Sequence, residues 1–364
     1  MDSTQANIFT QGLKSSLSIL RFEPVDIVFG RVLYEGIDFS LQGPMPLLWK
    51  RIWYSDSQYQ GMMGHGVHSY FDMKIQTFID YDVTGVLLKD GRIAGFEYLF
   101  SGESDFNREE QLTLHHRGEH YELFDHNDRL SYLFPINQNE KEYRLGEIRN
   151  EAGHRIECIY RHGFLHEIID SAGRRLLMSN DNKKRIKKVE LYINYTERET
   201  LVEYGYNENG DMCAITDAMG KTTRIVHKNH LMTGKTDRNG QSFYWEYDGT
   251  TPQSRCIHTW GYGGLLSGHI EYHKGYNLVT DSLGNVTRYD FQPDGRVTAV
   301  TDPVGAATVT DYTPEGDILR EIDPEGNITG YSYTLTPLIL GSLFRFSQKV
   351  YDFFRLFRSN ASCH

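Results

Sequence analysis

The amino-acid sequence predicts an all-β chain, built as a wall of repeated β-hairpins and ending in a short helical tail. Glycine and tyrosine are abundant, at 34 and 24 of 364 residues against 10 prolines, which favours many strands joined by tight turns. In addition, a D-x-x-G tetrapeptide recurs at a fixed spacing towards the C-terminus. A repeat of this length is typical of an array in which each unit packs on its neighbours.

Three copies of the tetrapeptide align without gaps. Residues 281–284, 302–305 and 323–326 start units that are 21 residues apart. Ten positions after each Asp comes an aromatic residue, which is Phe291, Tyr312 or Tyr333. This regularity predicts that the units share one structure.

The pattern extends backward with decay, so we assign the repeat array to residues 120–334. Residues 237–240 and 217–220 are earlier copies, and a degenerate unit opening at residues 258–261 fills the interval of 44 residues between Asp237 and Asp281. The predicted structural turn residues are Asp217, Gly220, Asp237, Gly240, Asp281, Gly284, Asp302, Gly305, Asp323 and Gly326.

Each unit has the character of a hairpin. In D-x-x-G, the Asp side chain accepts hydrogen bonds from the backbone ahead and Gly adopts a positive φ. Residues 285–291 alternate with the period of a strand, and residues 296–301 return as the partner strand. Neither face is uniformly apolar, since Ala306, Thr308 and Tyr312 share one face. This favours a single-layer wall wetted on both sides over a β-sandwich or a propeller, which remain alternatives.

These units resemble the YD repeat of the Rhs family, in which an aromatic residue, a turn, a glycine and D-x-x-G follow one another, as in residues 289–295 and 301–305. Residues 22–119 resemble the N-terminal β domain of that family, although Val67 stands where the family usually has Trp. The residues that carry this second resemblance are Pro24, Asp26, Ile27, Gly30, Asp38, Phe39, Leu41, Gly43, Pro46, Leu47, Trp49, Arg51, Tyr54, Ser55, Gly61, Gly64 and Gly66.

The resemblance implies a sheet that spirals into a hollow shell. In bacterial members the shell encloses a C-terminal toxin that is exported in interbacterial competition, commonly by type VI secretion. We therefore expect a non-catalytic shell fragment, truncated or orphan, because only a short leader (residues 1–21) precedes the N-terminal domain. The family's closing Asp-Pro-x-Gly-Leu motif is matched only as Asp-Pro-x-Gly at residues 302–305 and 323–326, which are repeat turns followed by Ala306 and Asn327 in place of Leu. The expected partners are a toxin domain, remaining shell segments and secretion-system components.

The expected location is the cytoplasm of the producing bacterium, with secretion of intact family members. A competing hypothesis from another class is an interaction module whose aromatic β surface binds carbohydrate or a protein. The net charge of −11 lacks the basic footprint of a nucleic-acid-binding protein, so no nucleic-acid partner is expected. Four scattered cysteines without a C-x-x-C pair argue against a disulfide scaffold and a zinc site.

Two histidine groups are the main remaining candidates for chemistry. His65 and His68 lie near Asp72, and the second group is His115, His116 and His120. Neither has the spacing of a metal motif, so both are expected at the surface or at the edge of the core. The basic run at residues 181–188 is expected to be a charged hairpin tip. We therefore expect no catalytic residue, no cofactor, no metal and no enzymatic activity.

The tail, residues 335–364, departs from the repeat and has the apolar periodicity of a basic amphipathic helix. It could cover the open edge of the wall, be an abnormal junction, or lie on a membrane surface. The first two interpretations are favoured over membrane contact. Because an unpaired strand edge recruits other chains, self-association through the open edge is expected.

Overall fold

The computed structural model describes residues 20–21, 24–137, 141–314 and 316–333. These ranges contain 33 β-strands, two 3-10 helices of a single turn (Ile79–Tyr81 and Tyr262–Gly264) and no α-helix. The all-β prediction is confirmed. The predicted helical tail lies outside the described residues.

One antiparallel sheet of 22 strands dominates the structure, and we call it the wall. Its strand order follows the chain, apart from β15, which joins another sheet. The wall consists of β11 (Ser104–Asn107), β12 (Leu112–His116), β13 (His120–Asp125), β14 (Leu130–Pro135), β16 (Glu147–Asn150), β17 (Arg155–Arg161), β18 (Phe164–Ile169), β19 (Arg175–Asn180), β20 (Ile186–Tyr192), β21 (Arg198–Tyr206), β22 (Met212–Asp217), β23 (Thr222–Lys228), β24 (Leu231–Thr236), β25 (Ser242–Tyr247), β26 (Cys256–Gly261), β27 (Gly268–Tyr272), β28 (Tyr276–Thr280), β29 (Val286–Phe291), β30 (Val297–Thr301), β31 (Ala307–Tyr312), β32 (Ile318–Ile322) and β33 (Ile328–Gly330).

Residues 24–99, which we call the N-terminal region, form short sheets that pack against the wall. The strands outside the wall are β1 (Leu20–Arg21), β2 (Val25–Asp26), β3 (Leu33–Leu41), β4 (Leu47–Tyr54), β5 (Gln60–Gly61), β6 (Gly64–His65), β7 (Val67–Ser69), β8 (Lys74–Phe78), β9 (Val83–Leu87), β10 (Ile93–Glu97) and β15 (Glu142–Arg144). Strand β15 pairs with β8, so the chain returns once to the N-terminal region before the wall continues.

One face of the wall from β12 to β30 is buried, which differs from the prediction of a wall wetted on both sides. In β25, for example, Phe243 and Trp245 are buried, whereas Glu246 is exposed. Both belong to a single apolar core that also contains Trp49 and Phe71 of the N-terminal region. The N-terminal region therefore supplies the second layer that hydrophobic burial requires. In β31 to β33, by contrast, no described residue is buried.

The degenerate unit between Asp237 and Asp281 is a complete hairpin, but its turn was predicted at the wrong residues. Residues 258–261 belong to strand β26, and the connection to β27 runs through Tyr262–Gly264 and on to Ser267. This connection is longer than D-x-x-G, which explains why the spacing pattern placed it a few residues early.

The hairpin turns alternate between two rims of the wall. The turns that follow β18, β22, β24, β28, β30 and β32 contain D-x-x-G tetrapeptides, and we call this side the D-x-x-G rim. Arg108, in the turn after β11 on the same rim, forms an ion pair of 2.9 Å with Asp317, which precedes β32 on the opposite rim. The wall therefore winds round until its two ends meet with opposite rims in contact, as in a spiral.

Candidate functional site

The candidate functional site is the interface between the N-terminal region and the inner face of the wall, where buried polar groups of both converge. At its centre, the Arg51 guanidinium donates two hydrogen bonds of 3.0 Å to the Asp38 carboxylate. The Tyr204 hydroxyl of β21 donates to Asp38 at 2.5 Å and accepts from Trp49 Nε1 at 2.8 Å. Burial and the Asp38 charge raise the pKa of Tyr204 well above its ordinary value. A bidentate arginine–carboxylate pair is strong and directional, so this network fixes the N-terminal region to β21.

Trp49 joins this network to the apolar core. Its ring stacks between Phe39 and Phe71, with centroids 5.5 and 5.2 Å away, and the side chain is buried. A tryptophan in such a setting contributes a large buried apolar area, while its N–H finds a partner in Tyr204.

Backbone groups of the N-terminal region also bond directly to the wall. The Cys256 amide donates to the Gly30 carbonyl at 2.7 Å, and the Ile186 amide donates to the Met62 carbonyl at 2.8 Å. The Asn277 side chain donates to the carbonyls of Ile27 and Val28 at 2.7 and 3.1 Å. These bonds satisfy main-chain groups that burial would otherwise leave unpaired. They fix the position of the N-terminal region along strands that are far apart in sequence.

A cluster of histidines lies at one end of this interface. His65 of β6 stacks on His230, with ring centroids 3.8 Å apart, and His230 Nδ1 lies 2.6 Å from Asp211 Oδ1. Burial, and then the proximity of His230, lower the pKa of His65 to about 4. Burial likewise lowers the pKa of the neighbouring His227 to about 4. Although burial alone would raise it, hydrogen bonds from His230 and other neighbours lower the pKa of the Asp211 carboxyl. The His65 and His227 rings are therefore uncharged at neutral pH, because their pKa values lie near 4.

His68 is buried inside the N-terminal region, and Asp72 is half-buried there. His68 Nε2 lies 3.0 Å from the Ser57 hydroxyl, and its ring stacks on Tyr59 at 4.7 Å. Burial lowers the pKa of His68 to about 4 and raises that of Asp72 to about 6. The sequence placed His65, His68 and Asp72 close together, but the structure puts the two histidines in separate surroundings.

The ten predicted turn residues all lie in the turns of the D-x-x-G rim. In the first four turns, the Asp Oδ1 accepts the backbone N–H groups two and four residues ahead at 2.8–3.0 Å. Asp323 accepts the amide of Asn327 in the same way at 2.8 Å. Each glycine has φ between +75° and +89° with open space around it, so the backbone conformation and not a close neighbour requires glycine. These residues shape the wall and do not form a site.

A tyrosine and an arginine link successive hairpins in a way that sequence reasoning missed. The hydroxyl groups of Tyr247, Tyr312 and Tyr333 donate to the carbonyls of the residues 15 positions earlier, at 2.8–2.9 Å. The Arg296 guanidinium lies 5.7 Å from the ring centroid of Tyr312. Arg185 of the predicted basic hairpin tip lies 4.2 Å above Tyr206, whose hydroxyl donates to the Ile186 carbonyl at 2.7 Å. The available signal was that Arg stands directly before two of these four carbonyls, those of Ile186 and Val297.

The remaining candidate histidines and cysteines lie in strands of the wall. His115 and His116 lie in β12, and His120 begins β13. Burial raises the pKa of both Cys158 and Cys256 to about 12. Within the ranges that the structure describes, no group of three or more His, Cys, Asp or Glu side chains is placed to hold a metal ion. The same ranges contain no helix that is long and apolar enough to cross a membrane.

Comparison with known proteins gives two family matches. Residues 22–96 match a domain of unknown function (DUF6531), and residues 278–307 match the RHS Repeat. A probable deoxyribonuclease RhsB from Dickeya dadantii is 24% identical over 296 residues, which cover 79% of this chain and 20% of that protein. The chain thus contains an RHS repeat and is similar to Rhs proteins over most of its length.

Further relatives and solved structures also match. Toxin protein Tse5 from Pseudomonas aeruginosa is 25% identical over 317 residues, covering 75% of this chain and 24% of the toxin. A double-stranded DNA deaminase toxin A from Burkholderia cenocepacia is 25% identical over 301 residues, covering 75% and 19%. The crystal structure of TcdB2-TccC3-TEV matches with a TM-score of 0.34 and 10% identity, covering 78% and 18%. The chain spans about a fifth of the length of the curated relatives it matches.

Proposed function

We propose that this chain is a non-catalytic section of a wall that encloses a toxin. The observation that supports this most strongly is the 22-stranded spiral itself, whose inner face is packed on the N-terminal region as far as β30 and is then uncovered. The same tyrosine hydrogen bond holds covered and uncovered hairpins, at Tyr247 and at Tyr312. Because this hydrogen bond forms whether or not the inner face is packed, the hairpins do not depend on what the wall surrounds, as expected of a wall that encloses another polypeptide.

The relatives are named for nuclease, deaminase or toxin activity, and the shared region is about a fifth of their length. We place the activities in those names outside the shared region. Support comes from the roles of the reactive groups here, since turn aspartates are held by backbone N–H groups and the pKa of the buried thiols is raised to about 12. A thiol with so high a pKa is a poor nucleophile at neutral pH.

The test is an activity assay on the purified full chain. We expect no cleavage or deamination of double-stranded DNA, and an unchanged mass after prolonged incubation. Asp302→Asn and Asp323→Asn are the matched controls, because both turns read Asp-Pro-x-Gly. Fragments that disappear in either variant would show self-cleavage and contradict the proposal.

A row of rings on the outer face supports a second candidate, a carbohydrate-binding module. Trp260 stacks on Tyr244 at 5.5 Å and on His258 at 4.3 Å, and His258 stacks on His269 at 3.8 Å. Trp260 and His258, in the middle of this row, each stack on two neighbouring rings, so little of their ring surface is left for a sugar. Glycan binding that is lost in Trp260→Ala and retained in Trp245→Phe would favour this candidate over the wall.

A further inference from the structure

Strands β30 to β33 carry a row of apolar side chains on one face. The register pairs Ala299 with Val309, Val309 with Ile322, and Ile322 with Ile328. Side chains paired in this way stand about 5 Å apart, so the four form one continuous strip, which we call the apolar row. None of the four is buried, and Ile328 on the last strand is 62% exposed.

The apolar row lies on the outer face of the wall. Ala299 precedes Val300, which packs against the apolar core on the inner face. Because successive side chains of a strand point to opposite faces, Ala299 and the residues paired with it face outward. The inner face of the last strands is polar instead, since Thr310 pairs with Glu321 and Glu321 pairs with Thr329.

This arrangement reverses the one in β25, where Phe243 and Trp245 are buried on the inner face and Glu246 is exposed. The N-terminal region covers the inner face there, but it cannot cover a row that faces outward. A cluster of exposed apolar side chains favours contact with another polypeptide segment, because removal of apolar area from water is stabilising.

We propose that the occupant of the apolar row is the tail of the same chain, residues 335–364, which lies outside the described residues. The chain leaves β33 at Gly330, and the apolar periodicity of the tail starts at Leu338. The seven residues between them reach at most about 25 Å, so the tail is held close to the row. A tether this short gives the tail an effective concentration in the millimolar range, which a second copy does not have.

The length of the tail fits the row. As a helix, residues 338–358 would be about 30 Å long. The row crosses three strand spacings, which amount to about 14 Å. One helix can therefore cover the whole row with its apolar face.

Charge also favours this occupant. Residues 302–333 contain seven acidic residues and one basic residue, which gives a formal charge of −6. The tail contains four basic residues and one acidic residue, Asp352, which gives +3. The last hairpins therefore attract the tail, and they repel the anionic surface of a bilayer. Docking of the tail does not depend on whether the wall encloses a toxin.

The test is hydrogen exchange of the full chain, read by mass spectrometry on peptides from residues 338–358. We expect these amides to be protected. The double variant Val309→Thr, Ile328→Thr should speed their exchange about tenfold, because it removes apolar area from the row. Threonine keeps the β-branched shape that strands favour, and unchanged exchange in β29 and β30 checks that the variant folds.

The matched control makes the reverse exchange on the inner face of the same two strands. Thr308→Val, Thr329→Val should leave the exchange of the tail unchanged. Salt gives a second measurement on the wild-type chain. Raising the ionic strength from about 0.1 M to 1 M shortens the Debye length from about 10 Å to 3 Å, so it should also speed exchange in the tail.

Four results would overturn the proposal. Tail amides that exchange as fast as those of an isolated tail peptide would show that the tail is not docked. Protection that survives the row variant, with β29 and β30 intact, would place the tail elsewhere. Protection that falls on dilution of the chain would assign the row to the tail of a second copy. Protection that requires added phosphatidylserine vesicles would make an anionic bilayer the partner of the tail.

Discussion

The wall has a covered part, from β12 to β30, and an uncovered part, from β31 to β33, and both are built from the same hairpin. In both parts a tyrosine hydroxyl reaches the carbonyl 15 residues earlier, as Tyr247 and Tyr312 show. Burial is what differs, since Phe243 and Trp245 lie in the common core and β31 has no buried residue. The comparison shows that local hydrogen bonding shapes the hairpin, while the N-terminal region supplies most of the hydrophobic stabilisation.

The largest expected effect follows from removing the centre of the covered part. Trp49→Ala should lower the free energy of unfolding by about 3–5 kcal/mol, because it removes a buried ring stacked on Phe39 and Phe71 and leaves Tyr204 without one partner. Urea denaturation measures this. Tyr331→Ala on the uncovered part is the control and should cost much less, since Tyr331 is 40% exposed. Equal losses would mean that the two parts do not differ in stability.

Acid should destabilise the N-terminal region and its interface with the covered part next most strongly. Because the folded pKa values of His65, His68 and His227 lie near 4, below the ordinary 6.5, the unfolded state binds protons first as the pH falls. Their contribution is complete above pH 6.5 and is lost between pH 6.5 and 4. Each shift corresponds to about 3 kcal/mol at most.

Asp72 acts in the opposite direction. Its folded pKa of about 6 means that the folded state takes up its proton first, so stability rises as the pH falls from 6 towards 4 and offsets part of the loss. The measurement is the urea midpoint between pH 7 and pH 4. His65→Gln should flatten this dependence, whereas His154→Gln in an exposed turn should not. A midpoint that does not change with pH would contradict the lowered pKa values of these histidines.

Contact between the N-terminal region and the wall can also be tested at a single glycine. Gly295 has φ +95°, and a Cβ there would lie 2.2 Å from the Phe29 ring, whereas Gly284 has φ +83° and open space. Both Ala substitutions impose backbone strain of about 1–2 kcal/mol, but Gly295→Ala must also displace Phe29. We expect Gly295→Ala to lower the free energy of unfolding by about 1–3 kcal/mol more than Gly284→Ala. Similar losses would show that Phe29 is not seated on this turn.

The smallest effect concerns the tyrosine hydrogen bond. Tyr247→Phe and Tyr312→Phe each remove one hydroxyl that donates to a carbonyl, at a cost of about 0.5–1.5 kcal/mol. In the covered part, water cannot replace the lost donor as readily, so Tyr247→Phe should cost more. Hydrogen exchange at the neighbouring amides would report the difference. A larger loss for Tyr312→Phe would reverse the comparison.

Sequence reasoning succeeded where the structure is local. An Asp that bonds residues two and four ahead and a Gly with positive φ are properties of a tetrapeptide, so the turns at Asp281 and Asp302 could be predicted from their spacing. The longer connection after β26 follows no such rule and was misplaced. One-sided burial depends on pairs such as Asn277 with Ile27, which are 250 residues apart and leave no periodic signal.

For the same reason, only part of the candidate site could be predicted from the sequence. His65 and His68 stood out because they are two residues apart, but nothing in the sequence joins His65 to His230 and Asp211. Those contacts exist because the N-terminal region folds back on the turns that precede β22 and β24. The contact between Arg185 and the Tyr206 ring could not be predicted either. A basic run predicts a solvated hairpin tip whether or not one of its arginines packs on an aromatic ring.

The ion pair between Arg108 and Asp317 determines the circumference of one coil of the wall. Between them lie about nineteen strand spacings of about 4.8 Å, which gives a circuit of about 90 Å and a width of about 30 Å before strand tilt is added. A folded body of the size of residues 24–99 has about this diameter. One coil therefore holds the N-terminal region and little else, so that any further polypeptide inside must lie beyond it along the axis or thread past it as an extended chain.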